Sequence, residues 1–266
     1  MIRFRDPIDP NDSVIVIDIG NTSIGLATWH AESIRTPLSI PTRDAEAFAR
    51  AYAAHVESVP RAKPAATVIA SVVPAVLQRV REQIADLVSR EALVVGDSLP
   101  LPMDVTVENP DTVGVDRVCA AAAAFERIQT SCTVVDFGTA VTVDLVDADG
   151  AFAGGAILPG LKLQLRALHE FTAALPEVEP CFPNRPFGRN TVEAMQTGVC
   201  RGLAGAVRAL VEAYATSLNR WPQVVATGGD LEFMAAHCDF IDTPVRHLTL
   251  RGVGLAYSHH LTSKGA

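Results

Sequence analysis

Apolar residues along the chain fall into short unbroken runs separated by stretches of helical period. The run Val14–Ile17 is β-branched and only four residues long, which predicts a buried strand, and a hairpin partner follows over Ile24–Trp29. Asp44–His55 places Ala45, Phe48, Ala49, Tyr52 and Ala53 at helical spacing. Ala66–Ala70 reads as a further strand, and Ala75–Ser89 as a helix with Leu77, Val80, Ile84, Leu87 and Val88 on one face. Leu93–Val95 is strand-like. The stretch from Gly96 to Asp111 holds Pro100, Pro102 and Pro110, so it can be neither a long helix nor a central strand. Val118–Ile128 is a very apolar helix whose five consecutive alanines, Ala120–Ala124, favour helix and permit close packing. It suits either a core helix or an interface between copies.

The second half follows the same grammar. Strands are predicted at Thr133–Val135 and Val141–Val146, with Asp147-Ala148-Asp149-Gly150 as a hairpin turn. Gly154–Gly160 reads as a loop leading into a helix at Leu161–Phe171. Another helix covers Thr191–Tyr214, a strand Val224–Ala226, and a last helix Gly252–Leu261. Strands and helices alternate in both halves, which favours an α/β fold. The expected division is an irregular leader over residues 1–13, broken by Pro7 and Pro10, then one domain over 14–128 and another over 129–266. No low-complexity linker separates them.

One local device occurs twice. The strand Val14–Ile17 stops at Asp18-Ile19-Gly20-Asn21-Thr22, and the strand Thr133–Val135 stops at Asp136-Phe137-Gly138-Thr139-Ala140. Glycine admits close approach of a ligand to the backbone, successive turn amides make an anion-binding concavity, and Asp beside Thr suits a hydrated cation with phosphate oxygens. Two such turns facing each other across a cleft would hold a polyphosphate. The alternative for a single copy is a plain β-turn, with Asp and Asn serving turn chemistry. Thr227-Gly228-Gly229-Asp230 is a third glycine turn after a strand, suited to a nucleoside or simply to helix entry.

The net charge of −8, with no Lys/Arg cluster, argues against a nucleic-acid partner and requires any phosphate site to work through backbone amides and metal ions. No apolar run approaches the roughly 18 residues of a membrane span, and Met1–Pro7 lacks a signal-peptide stretch. The five cysteines (Cys119, Cys132, Cys181, Cys200 and Cys238) are odd in number and scattered. They point to reduced thiols in a cytoplasm, each a small buried hydrophobe. Gly114-Val115-Asp116-Arg117 opens a helix. There a carboxylate could accept a hydroxyl proton and a guanidinium could grip an anion; the alternative is a helix cap and a surface charge. Thr191, after Gly188-Arg189-Asn190, is either a cap or a substrate contact.

Taken together, these motifs resemble the type III pantothenate kinases of the actin-like/sugar-kinase ATPase superfamily. The matching pieces run from Asp18-Ile-Gly-Asn-Thr22 through Asn109-Pro110…Gly114-Val-Asp116-Arg117, Asp136-Phe-Gly-Thr-Ala140-Val-Thr142 and Gly154–Gly160 to Asn190-Thr191 and Thr227–Asp230. The resemblance implies duplicated actin-like (ribonuclease H-like) domains with a nucleotide cleft between them. It also implies ATP-dependent phosphorylation of the terminal hydroxyl of pantothenate to 4′-phosphopantothenate, the first step of coenzyme A biosynthesis. By the same resemblance Asp18, Ile19, Gly20, Asn21, Thr22, Ser23, Ile24 and Gly25 surround the ATP phosphates, with Asp18 near Mg²⁺, and Thr139 contacts ATP. Asp116 is the base, Val107, Gly114, Val115, Asp116, Arg117 and Thr191 line the pantothenate site, and Asp136 holds a monovalent cation (K⁺ or NH₄⁺). The family implies a homodimer, and neither nucleic acid nor membrane is expected as a partner. Two positions depart from the pattern: Val107 stands where members commonly carry tyrosine, and Gly25 where many carry a basic residue. The departures motivate a second reading, a relative that binds nucleotide in an accessory or regulatory role. A third is a kinase of another small alcohol.

Overall fold

The computed structural model describes residues 12–59, 64–88 and 91–265; residues 1–11 of the expected leader lie outside them. The chain forms two compact units. The first begins with β1 (Val14–Ile19), β2 (Ser23–His30) and β3 (Ser33–Pro41), followed by α1 (Ala45–Ser58), β4 (Thr67–Ser71), α2 (Pro74–Val88), β5 (Leu93–Val94) and α3 (Val115–Ile128). Its sheet has the order β3-β2-β1-β4-β5; the first three strands are antiparallel, and β4 and β5 continue parallel to β1. The two-residue side-chain period of a strand sends Ile15, Ile17 and Ile19 to one face, where they pack with Phe48 and Tyr52 of α1 and Val80 and Ile84 of α2. Val14, Val16 and Asp18 take the opposite face.

The second unit repeats this plan. β6 (Cys132–Phe137), β7 (Ala140–Val146), β8 (Phe152–Pro159), α4 (Leu161–Glu170), α5 (Thr191–Leu218), β9 (Gln223–Thr227), α6 (Leu231–Ala235) and β10 (Thr243–Pro244) follow in order. The sheet runs β10-β9-β6-β7-β8, the same arrangement as the first sheet, with β9 parallel to β6 and β7 antiparallel to it. Val135, Phe137, Val141 and Val143 build the core with Leu161 and Leu165 of α4, Val199, Leu203 and Val207 of α5, and Leu231 and Met234 of α6. The duplicated α/β plan expected from the sequence is thus present twice in full.

The last helix, α7 (Leu248–Gly265), corrects the expected 129–266 boundary. From His247 on, the chain belongs to the first unit, as do Gly150–Phe152. α7 packs on β1, β2 and β4 beside α3. Val253 and Ala256 are buried, and so are Val118 to Ala124 of α3. Residues apolar on every side need cover on every side, and two helices stacked on one sheet provide it. The apolar helix α3 is therefore core within its own unit, and the alternative of an interface between copies falls. A further correction concerns Gly154–Gly160: most of this stretch is strand β8, at the edge of the second sheet. Among the described residues no helix is long and apolar enough to cross a membrane. Four of the five cysteines are buried as expected, and Cys181 is exposed.

Candidate active site

β1 and β6 carry the same sequence of environments. Four residues are buried, then come a half-buried aspartate, a buried hydrophobe and a glycine. In the first unit Asp18 lies where β1 and the parallel β4 end together, opposite Gly25 and beside Ala70. This carboxyl edge is where α/β sheets bind ligands. The Gly20 amide donates to the Ser23 carbonyl at 3.0 Å, closing a turn whose tip, Asn21 to Ser23, is exposed. Ile19 and Ile24 are fully buried, so only their main chain can face a ligand. A β-carbon at Gly25 would lie 3.6 Å from Asp18 Cβ, so a side chain there would stand beside the carboxylate. With glycine, that flank is shared by backbone and the side chain of Leu250, whose Cδ1 lies 3.4 Å from the same point.

The base candidate sits on the same face of the first sheet. Gly114 is the N-cap of α3, and Asp116 lies in its first turn, where its Oδ1 accepts the Arg117 amide at 2.8 Å. Asp116 is therefore not the cap. A β-carbon on Gly114 would come 2.5 Å from that oxygen, so a side chain there would displace the Asp116 carboxylate. Burial raises the Asp116 pKa above the 3.8 of an ordinary aspartate, while the Arg117 amide and guanidinium pull it back. Cys119, one turn along α3, is fully buried. Burial raises its thiol pKa, and the charges of Asp18 and Asp116 raise it further. The charges of both carboxylates thus reach Cys119. The Arg117 guanidinium lies 5.3 Å from the centre of the Phe152 ring. Thr106 donates to the Phe152 carbonyl through its amide (3.0 Å) and its hydroxyl (3.2 Å), which ties the segment before Val107 to that aromatic platform. Phe152 itself was not singled out from the sequence; an isolated phenylalanine carries no signal of a cation above it.

In the second unit Asp136 pairs with Thr142 on β7 and Thr227 on β9. The turn after it is gripped from two sides. The Gly160 amide donates to the Thr139 carbonyl at 2.9 Å, and the Asp230 amide to the Phe137 carbonyl at 3.0 Å. Gly228 has φ +108°, and a β-carbon there would lie 2.5 Å from the Phe137 backbone nitrogen. The glycine turn Thr227–Asp230 therefore belongs to the same constellation as the second Asp-x-Gly. Burial raises the Asp230 pKa, and the Lys162 ammonium lowers it. At α5 the question of capping resolves: Asn190 is the cap, accepting the Glu193 amide at 2.9 Å, and Glu193 accepts the Arg189 amide at 2.9 Å. Thr191 is exposed and is not the capping residue.

Among the described residues no group of three or more His, Cys, Asp or Glu could hold a metal. Asp18 at the end of β1 and the Thr22 hydroxyl in the turn that follows are hard oxygen donors. A single carboxylate suits a cation that arrives on a substrate's phosphates, which is how Mg²⁺ is commonly held.

Two units that each wind a 3-2-1-4-5 sheet and end its first strand on Asp-x-Gly make a duplicated actin-like α/β fold. A solved structure from Campylobacter jejuni, named for the Baf family of transcriptional activators, shares this fold. It has a TM-score of 0.62 at 19% identity and covers 92% of this chain and 98% of its own. The family model for type III pantothenate kinase matches residues 14–213. A type III pantothenate kinase of Syntrophotalea carbinolica is 35% identical over 258 residues, covering 95% of this chain and all of the relative. That of Dehalococcoides mccartyi is 33% identical over 258 residues, covering 93% and 98%. The chain belongs to the type III pantothenate kinase family.

Proposed function

We propose that the protein is an ATP-dependent kinase that transfers the γ-phosphoryl group to the terminal hydroxyl of pantothenate. The product is 4′-phosphopantothenate, and the reaction opens coenzyme A biosynthesis. The observation that carries this reading is the placement of Asp18 at the carboxyl edge of β1 and of Asp116 in the first turn of α3, whose N-cap Gly114 lies against Val72 just past β4, in a chain of this family. Phosphoryl transfer asks for in-line positioning and charge neutralisation more than for covalent chemistry. Asp116 accepts the proton of the pantothenate hydroxyl, and its raised pKa makes it a stronger base than an exposed aspartate. Arg117, steadied over Phe152, holds the acceptor's carboxylate, while Gly114, Val115, Val107 and Thr191 line its site. Asp18 to Gly25 surround the ATP phosphates, with Ile19 and Ile24 contributing backbone alone, and Thr139 contacts ATP.

Mg²⁺ held by Asp18 with the phosphates supplies the positive charge that this lysine-poor site lacks. Asp136 seats K⁺ or NH₄⁺. The enzyme acts as a cytoplasmic homodimer, with neither nucleic acid nor membrane as partner. The test is incubation with ATP, Mg²⁺ and pantothenate, with and without potassium, scored for phosphopantothenate by mass. Product that requires both substrates supports the reading. ATP binding without product favours the accessory role, and phosphorylation of a different alcohol in an acceptor screen favours the third reading.

A further inference from the structure

The turn assigned to the ATP phosphates is held from behind by a residue that belongs to no phosphate motif. Thr42, just past the end of β3, is buried and makes three hydrogen bonds. Its amide donates to the Thr22 carbonyl at 3.0 Å and its hydroxyl to the Gly20 carbonyl at 3.0 Å. Its own carbonyl accepts the guanidinium of Arg79 on α2. One helical turn along, Gln83 donates to the Ala45 carbonyl at 3.0 Å, so α2 grips both ends of the 42–45 segment. Asp44 caps α1 within that segment, accepting the Ala47 amide at 2.9 Å.

The consequence follows from peptide geometry. The carbonyls of Gly20 and Thr22 belong to the same planar peptide units as the amides of Asn21 and Ser23. Fixing the direction of those two carbonyls fixes the direction of those two amides. They lie at the exposed tip where an anion would be met. A tip with three exposed residues and a glycine has many conformations of its own, and ordering it on binding would cost affinity. We propose that Thr42, anchored by Arg79, is a positioning residue that pre-orients the Gly20–Ser23 turn for the ATP phosphates. The proposal rests on the kinase reading for its ligand and on this geometry for its strut.

The experiment compares Thr42→Val, which deletes the hydroxyl at constant shape, with Thr42→Ser, which restores it, and Arg79→Met, which removes the anchor. Steady-state kinetics with each substrate varied at saturation of the other should show the KM for ATP rising about three- to tenfold in Thr42→Val, the cost of one orienting hydrogen bond. The KM for pantothenate should stay within about twofold. Thr42→Ser should return the ATP KM to wild type, and Arg79→Met should fall between. Amide hydrogen exchange of the peptide spanning residues 20–25 should quicken in Thr42→Val and recover in Thr42→Ser. An ATP KM and an exchange rate both unchanged in Thr42→Val overturn the proposal, as does equal damage to both substrates' KM. Wild-type protein that phosphorylates nothing overturns the kinase reading instead, and the exchange measurement then still decides the strut.

Discussion

Replacing Gly252 by alanine tests the packing that fixes α3, the helix that carries Asp116. Gly252 sits on α7 against the backbone of α3, and a β-carbon there would lie 2.7 Å from Cys119 Cα and closer still to the Cys119 carbonyl. Backbone cannot rotate away as a side chain can, so the helices must part. Restoring an ordinary contact of about 3.4 Å at Cα alone needs roughly 0.7 Å of separation, and a gap of that size forfeits a quarter to a half of each dispersion contact across it. The seam involves Val118 to Ala124 on one side and Val253 and Ala256 on the other, all buried. Overpacking usually costs about 1–3 kcal/mol, and a backbone-on-backbone clash belongs at the upper end, about 3 kcal/mol. At roughly 2–4 °C per kcal/mol for a chain of this size, the melting temperature should fall by about 6–12 °C. Because Asp116 and Arg117 ride on the displaced end of α3, kcat should fall at temperatures where the variant is still folded. Gly205→Ala on α5 is the control: nothing lies within 4 Å of its β-carbon, and alanine gains helix propensity, so stability should hold or rise by up to about 1 kcal/mol. Scanning calorimetry with a kinase assay reads both. Gly252→Ala melting within about 2 °C of wild type at unchanged kcat would refute the packing argument.

Asp116→Asn should lower kcat about 10²–10⁴-fold, the usual worth of a general base, while ATP binding by calorimetry stays intact; undiminished turnover removes Asp116 from the base role. Because burial raises the Asp116 pKa, kcat/KM for pantothenate should begin to fall on the acid side above the ordinary aspartate range. By linkage, a carboxylate whose folded pKa is raised is neutral in its effect below 3.8 and destabilising once pH exceeds its folded value. The melting temperature of Asp116→Asn relative to wild type should therefore rise with pH through that window, and a flat difference would contradict the assignment. Val107→Tyr should lower the KM for pantothenate about three- to tenfold by adding one hydroxyl contact, and an unmoved KM would detach position 107 from the acceptor site. Asp136→Asn should make rates with and without potassium converge, and a retained potassium response would relocate the monovalent site.

Much of this was legible because the signals are local. The strand that ends in Asp-x-Gly needs only four β-branched residues and a turn, and β1 and β6 fall where those residues lie. The apolar faces of α1 and α2 pointed to their sheet by period alone. β8 was hidden because Gly154, Gly155 and Pro159 each argue against a strand. At a sheet edge the proline is tolerated, and a β-carbon at Gly155 would collide with Val143 and Asp144. β3 was missed because most of its residues are exposed and carry no apolar alternation. The return of α7 to the first unit could not be read at all: periodicity tells which face of a helix is buried, not against which sheet. The site shows the same division. Asp18, Asp116 and Asp136 stand in contiguous motifs, whereas Thr42, Arg79 and Phe152 act through pairings that only the fold creates.

The most direct measurement of the central claim is formation of phosphopantothenate by the purified protein from ATP, Mg²⁺ and pantothenate, followed by mass spectrometry with and without potassium, beside Asp116→Asn. The account predicts product in step with ADP for the wild type and near-background product for the variant. No phosphopantothenate under any cation condition, from protein that still binds ATP, would contradict it.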